Sequence, residues 1–403
     1  MALAPFITRL YGPTAFGELG AFTALLSVAL PLAALGYPIA IVLPASHREA
    51  KGLVKLSFSL SILIALLAFL LIFSGGDTLA TAFGANSIAN YLPLLPFAML
   101  FSAWAQIAQQ WLIRNKNFIC IARASITQSI VINSLKIAGG LITPTAFFLI
   151  ITTTLGNAIH ALLLFLCTRS NKKDHNILDH TEKQKSLHEL AGQHRDFPLY
   201  RAPQDFINAT SQSLPILMLA AFFGPESAGY YTLSKLVMGV PSSLVGKAFS
   251  DVFYPRITEA ARNKENLTKS ITHSTAILFG IGIIPFSLIM AFGPLIFSFA
   301  FGTEWSPSGS YAQWLALFFF FNFINKPSVA AAPALGIQRG LLIYEIFSTT
   351  GKTLGLIVGF YWFRDDTVAI ALFSAIGVAA YCALIVWILS HALRFEKNAK
   401  TSS

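Results

Sequence analysis

Charge is scarce in this chain. Only 11% of its residues are Asp, Glu, Lys or Arg, against about 25% in soluble domains, which excludes an ordinary water-exposed surface. Cysteine is scarcer still: Cys120, Cys167 and Cys382, an odd number lying in or beside apolar stretches, argue against a disulfide framework and read as small buried residues. No nucleotide-binding fingerprint is present. Ser348-Thr349-Thr350-Gly351-Lys352-Thr353 imitates the tail of a phosphate-binding loop, but Ile346 stands where a glycine is required, and the run lies in an apolar stretch. His175, His180, His188 and His194 lack the compact spacing of a metal site and read as solvated histidines. No serine triad is found, and the loops between apolar stretches are short, which argues against a membrane glycosyltransferase or polymerase. A metal, a cofactor and an enzymatic activity are therefore not expected, and with no nucleotide site any energy source would have to be a gradient, of an ion or of the substrate itself.

Hydrophobic length is what the chain has instead. It is 55% hydrophobic with a mean hydropathy of +0.64, and a bilayer is the solvent that suits such a composition. Eleven stretches approach the ~20 residues that a spanning helix needs: Phe16–Leu43, Leu56–Phe73, Ile88–Ile113, Ala124–Leu141, Ala146–Cys167, Phe206–Phe223, Ala228–Phe253, Ser274–Ala300, Tyr311–Leu335, Leu341–Trp362 and Val368–Leu393. Met1–Thr8 is apolar but too short to cross, and lacks the marks of a cleavable signal. It reads as the stub of a twelfth span, shortened by the choice of start codon.

The sequence repeats itself. Tyr11-Gly12-Pro13-Thr14-Ala15-Phe16-Gly17 returns as Phe223-Gly224-Pro225-Glu226-Ser227-Ala228-Gly229. Pro31 answers Pro241, Gly36 answers Gly246, Pro44 answers Pro255, Glu49-Ala50 answers Glu259-Ala260, and Phe83-Gly84 answers Phe301-Gly302. A parallel repeat of this length predicts an all-α membrane protein of two six-helix lobes, with a substrate cleft between them. The expected divisions are an amino-terminal lobe over residues 1–167, a cytoplasmic linker with a short surface helix over 168–202, a carboxy-terminal lobe over 203–393, and a cytoplasmic tail over 394–403.

Orientation follows from the cations. With the amino terminus inside, 21 of the 28 Lys and Arg residues fall in cytoplasmic segments, and only Arg9 and Arg364 fall outside. The opposite orientation reverses this, so both termini are expected in the cytoplasm. The net charge of +10 needs no nucleic acid to account for it.

The remaining five cations lie inside predicted spans: Lys136, Lys235, Lys247, Lys326 and Lys352. A lysine at hydrocarbon depth costs about 2.5–3.5 kcal/mol on the insertion scale. Snorkelling accounts for Lys247 and partly for Lys235. Lys326 and Lys352 are placed near mid-span and read as lining a cationic, water-filled cavity; for Lys136 both readings stand. Among the acids at spans, Glu18, Asp205, Asp251 and Glu345, Asp205 follows Pro203 and suits a helix amino terminus. Glu345 lies seven residues before Lys352, two turns away on one face and about 10 Å along the axis. Glu345 and Asp205 are the candidates for coupling to H+ or Na+. Pro31, Pro38, Pro93, Pro96, Pro241, Pro327 and Pro333 mark bends, static or moving.

Further motifs make the chain resemble a family. Thr8-Arg9-Leu10-Tyr11-Gly12-Pro13, the run Pro203–Pro225, Tyr254-Pro255-Arg256 and Phe301-Gly302-Thr303-Glu304-Trp305 are similar to those of the oligosaccharide or O-antigen flippases of Wzx type. That group is related to multidrug (MATE) exporters and lipid II flippases. The resemblance implies a bacterial inner-membrane protein with a MATE-like V of two six-helix lobes. Its implied action is to carry an undecaprenyl-pyrophosphate-linked oligosaccharide to the periplasmic leaflet by alternating access. Membrane lipids and a glycan polymerase or ligase complex are the implied partners. Arg9, Lys136, Lys235, Lys326 and Lys352 then become candidate partners of the pyrophosphate. The rival reading is a cation-coupled exporter of small molecules, which would favour an acidic cavity; a third is a non-transporting scaffold in glycan assembly.

Overall fold

The protein is seen here as a computed structural model that describes residues 3–44, 46–82, 86–170, 186–262, 266–332, 335 and 337–401. Regular structure among the described residues is entirely helical. The first half contains α1 (Ala4–Leu10), α2 (Pro13–Ala33), α3 (Tyr37–Ala40), α4 (His47–Ala82), α5 (Leu95–Arg114), α6 (Phe118–Ile142), α7 (Ala146–Ser170) and α8 (Leu187–Gln193). It is followed by α9 (Ala202–Phe223), α10 (Pro225–Arg262), α11 (Leu267–Phe301), α12 (Ser306–Ile324), α13 (Lys326–Ala331), α14 (Gln338–Val358) and α15 (Asp366–Thr401). Eleven of these helices have 19 residues or more, and each overlaps one of the eleven apolar stretches. Eight candidate spans among the described residues are long and apolar enough to cross a membrane. Large apolar side chains in these spans stay uncovered: Phe73, Ile142 and Phe299 are each more than four-fifths exposed.

The repeat is visible in the backbone. Gly12 caps α2 in an extended conformation and Pro13 opens the helix; Gly224 ends α9 and Pro225 opens α10. Proline suits this place because the first helical N–H has no intrahelical partner. Gly224 has φ +92° and Gly302 φ +116°, values that side-chain-bearing residues rarely adopt. The copies then diverge. Gly36 turns the chain between α2 and α3 with φ +74°, following Leu35 at φ +49°, whereas its counterpart Gly246 lies within the unbroken helix α10. Gly84, the counterpart of Gly302, lies outside the described residues.

Packing divides the chain into two compact units, Met1–Ala228 and Gly229–Ser403. The repeat starts its second copy near Pro203, but α9 packs along α2 and belongs to the first unit. In that unit α2 also meets α5 and α7, and α5 lies along α7. In the second unit α11 pairs with α12, α14 with α15, and α12 with α15. Small residues permit close approach, as expected where lipid offers no hydrophobic drive between helices. Gly293 of α11 and Gly309 of α12 lie backbone to backbone, and the Phe148 ring of α7 fills the place a side chain at Gly139 of α6 would need.

One end of the first unit closes on a notch around the α3 turn. The Arg114 guanidinium, at the end of α5, donates to the carbonyls of Ile41, Val42, Pro44 and Ser46. The short helix expected in the linker is α8, opened by a capping box in which Ser186 and Glu189 bond each other's backbone N–H. It docks in this notch: Leu190 is buried with Tyr37, Ile41 and Leu53, and the Tyr37 hydroxyl donates to the Ala191 carbonyl at 3.2 Å.

Two sequence expectations need correction. Cys120 and Cys167 are not inert core residues: they are half-buried and joined by a disulfide with a Cα–Cα distance of 6.2 Å. They stand 47 residues apart in sequence, and the α6–α7 hairpin makes them neighbours. The apolar stretch Tyr311–Leu335 is not one helix either. The ladder breaks at Asn325 (φ −82°, ψ −7°), because Pro327 lacks the N–H that would bond the Phe323 carbonyl. Lys326 therefore sits at a break and not in mid-helix.

Candidate functional site

The five candidate cations, four lysines and Arg9, fall into two groups, one in each unit. In the first unit the repeat motif itself carries the arrangement. Tyr11 is fully buried and its hydroxyl donates to the Lys136 carbonyl at 2.9 Å. Gly140, one turn further along α6, leaves room for the Tyr11 ring and Leu10. Arg9 stands two residues before Tyr11 in the last turn of α1 and is exposed. The short α1 segment thus brings Arg9 to the stretch of α6 that carries half-buried Lys136. Lys136 forms no salt bridge among the described residues.

In the second unit the most developed constellation surrounds Lys352 of α14. Its Nζ lies 5.8 Å from the centre of the Phe318 ring of α12, and its stem passes Gly377 of α15, where a Cβ would meet Lys352 Cδ at 3.6 Å and press on the Phe318 ring. Phe318 also packs against Phe373 and Tyr381, and Tyr231 of α10 meets Phe373 edge to face. The Asn322 side-chain N–H donates to the Tyr381 hydroxyl at 2.5 Å. This is a polar seam within an aromatic bundle. The ring face partly offsets the loss of water around the ammonium, and no carboxylate lies within ion-pair distance of Lys352 among the described residues. Glu345 is exposed on α14 and acts on Lys352 and Tyr381 through its field, without a salt bridge.

Lys326, half-buried at the α12–α13 break, is flanked by Asn325 (1% exposed) and Ser328 (0%). Asn325 Oδ1 and Ser328 Oγ have no hydrogen-bond partner among the described residues, so the break is polar as well as bent. Lys235 of α10 is half-buried beside Ser234, whose hydroxyl donates to the carbonyls of Tyr230 and Ser308, each at 2.7 Å. It lies ten residues beyond Pro225, about 15 Å along the axis of α10. The side chains of Lys247 and Asp251 lie outside what is described.

The acids are placed differently from one another. Asp205, in the first turn of α9, accepts from Arg201 Nε at 3.0 Å, so its carboxylate is already engaged. Glu18 of α2 hydrogen-bonds the Tyr91 hydroxyl. Ser348 through Thr353 lie inside α14, which removes the loop a phosphate cradle needs. His175 and His180 lie outside the described residues; His188 is on α8 and His194 caps it. Among the described residues no group of three or more His, Cys, Asp or Glu is placed to hold a metal ion.

Sequence reasoning missed Phe318, Asn322, Tyr381 and Gly377, which surround Lys352. It also missed one line of the repeat: Asn115-Lys116 after α5 answers Asn325-Lys326 after α12. The 210-residue offset is that of Pro31 to Pro241, and it would have placed Lys326 at a helix end.

Comparison with known proteins agrees with this architecture. A family model described as polysaccharide biosynthesis protein matches residues 6–310. The succinoglycan biosynthesis transport protein ExoT of Rhizobium meliloti (strain 1021) is 20% identical over 402 residues, covering 90% of this chain and 76% of that protein. Among solved structures, the fold resembles an inward-facing multidrug resistance MATE family transporter of the MOP superfamily, with a TM-score of 0.78 at 15% identity over 100% of this chain and 95% of the other. It also resembles the lipid II flippase MurJ in an inward closed conformation, with a TM-score of 0.71 at 16% identity over 99% of this chain and 88% of the other.

Proposed function

Because the chain belongs to the polysaccharide biosynthesis protein family, matched over residues 6–310, we propose that it flips an undecaprenyl-pyrophosphate-linked oligosaccharide from the cytoplasmic to the periplasmic leaflet. Flipping proceeds by alternating access and supplies O-antigen, capsule or exopolysaccharide assembly. The protein resides in the bacterial inner membrane with both termini in the cytoplasm, the orientation that places 21 of its 28 Lys and Arg residues inside.

The observation that carries this reading is the sign of the buried charge. Lys136, Lys326 and Lys352 are half-buried and have no carboxylate within ion-pair distance among the described residues. An unpaired ammonium in such surroundings attracts an anion, and a pyrophosphate is an anion that cannot cross hydrocarbon unaided. Arg9 and Lys235 extend the same character. The polyprenyl tail stays in lipid while the lysines hold the head group. Glu345, in the field of Lys352, is the coupling group, taking up H+ or Na+ as the head group leaves. A glycan polymerase or ligase receives the product.

The test is a flipping assay with the purified full-length protein in liposomes carrying a fluorescent, short-chain pyrophosphate-linked oligosaccharide. Protein-dependent transfer between leaflets is expected. Absence of transfer, together with proton-driven uptake of a cationic dye, would establish the exporter reading instead.

A further inference from the structure

The Cys120–Cys167 pair has no role in lipid flipping as proposed above, yet it sits where it controls a helix that carries part of the cationic site. Helix α6 is lightly tethered: Phe118, Ile119, Ile126, Ile130, Leu141 and Ile142 are all exposed, and its packing is mainly against α7 and α1. The α6–α7 hairpin is closed at one end by the turn between Ile142 and Ala146. At the other end Cys120, in the first turn of α6, meets Cys167, near the end of α7. The Cα–Cα distance of 6.2 Å falls within the range of about 4.4–6.8 Å that a disulfide requires, so the bond closes without moving either backbone. Lys116 and Arg123 flank Cys120 in sequence, an electropositive neighbourhood of the kind in which cysteines react.

We propose that Cys120 and Cys167 form a reversible redox staple at the cytoplasmic end of α6. The proposal rests on the orientation given under Proposed function, which places both sulfurs on the side where the cell keeps thiols reduced. In the resting cell the pair is a dithiol. On exposure to a peroxide or a low-molecular-weight disulfide, the two thiols lose two protons and two electrons, and a sulfur–sulfur bond forms between α6 and α7. The electrons and protons cleave the O–O bond of the peroxide, giving two waters or an alcohol and a water, or the S–S bond of the small disulfide, giving two thiols. Once closed, the staple fixes α6 against α7 at both ends. It thereby fixes Lys136, whose carbonyl holds Tyr11, and with it the α1 segment bearing Arg9. Cys382 is the cysteine outside the pair and is a built-in reference.

The experiment counts thiols on the full-length protein in intact cells. Cells are left untreated, treated with diamide or hydrogen peroxide, or treated and then reduced. They are quenched in acid, denatured, and alkylated with a maleimide-linked polyethylene glycol that shifts the band once per free thiol. The expected result is three adducts untreated, one adduct after oxidant, and three again after reductant, with the double variant Cys120→Ser/Cys167→Ser giving one adduct throughout. Three adducts persisting after oxidant would overturn the staple and leave the orientation untouched. One adduct already in untreated cells would show a permanent disulfide on the oxidising side, contradicting both reversibility and the orientation.

Discussion

Lys352 lays its ammonium over the face of Phe318, with Nζ 5.8 Å from the ring centre. A lysine in such a place is held without being neutralised, because the ring supplies partial negative charge but no counterion. A carboxylate partner would have consumed the charge. An aromatic partner leaves it available to an incoming anion while offsetting about 0.5–2 kcal/mol of its cost.

Lys352→Ala should therefore lower the amount of surface glycan severalfold at unchanged protein abundance, because an anion partner is lost and not a packing contact. Lys352→Arg should retain more function than Lys352→Ala, since the charge survives although the fork geometry differs. Phe318→Leu should fall between the two, as the ammonium keeps its charge but loses its seat. Quantitative blotting of glycan and protein from the same cells checks this order. The same alanine change at Lys183 or Lys185 should leave both blots unchanged.

Tyr11→Phe should cost about 1 kcal/mol, the usual net worth of a buried hydrogen bond, because only the bond to the Lys136 carbonyl is lost. Tyr11→Ala should cost several times more by opening a cavity beside Gly140. Melting temperatures in one detergent give the comparison. Equal losses for the two variants would mean that the ring contributes nothing and the α1–α6 contact is misassigned.

Gly309→Val should reduce stability by about 1–3 kcal/mol or more, since any side chain there meets the Gly293 and Pro294 backbone of α11. Gly239→Ala serves as the control, because a Cβ at that position meets nothing within 4 Å and alanine favours a helix. A cellular abundance series at two temperatures separates them.

The fold class was legible in the sequence because lipid leaves only one solution to the backbone, and apolar length reports it. The Gly-Pro motif was legible for a similar reason: Gly224 at φ +92° followed by a helix-opening Pro225 is a local demand that local residues meet. What surrounds Lys352 was hidden. Phe318, Asn322 and Tyr381 come from two other helices, and in a span rich in apolar and aromatic residues nothing distinguishes the ring that seats a lysine from one that faces lipid. Lys326 was misplaced because hydropathy runs through the break at Asn325, while the missing N–H of Pro327 stops the helix there. The Cys120–Cys167 pair was hidden by counting, since an odd total does not forbid one bond.

Orientation has its own test. In a variant without native cysteines, single reporters at Lys173 and Lys400 should be shielded from an impermeant thiol reagent in intact cells, and one at Gly76 should react. Labelling at Lys173 from outside would reverse the topology.

The most direct measurement of the central claim is the leaflet distribution of the lipid-linked glycan in cells whose sole copy of the protein is Lys326→Ala/Lys352→Ala. With protein at normal abundance, the flipping account predicts that undecaprenyl-pyrophosphate-linked oligosaccharide accumulates in the cytoplasmic leaflet, inaccessible to an external glycan-cleaving enzyme in spheroplasts, while surface glycan falls. Normal glycan at the surface and a normal share of the lipid-linked form in the outer leaflet would contradict the account and leave those lysines as side chains that merely reach for the interface.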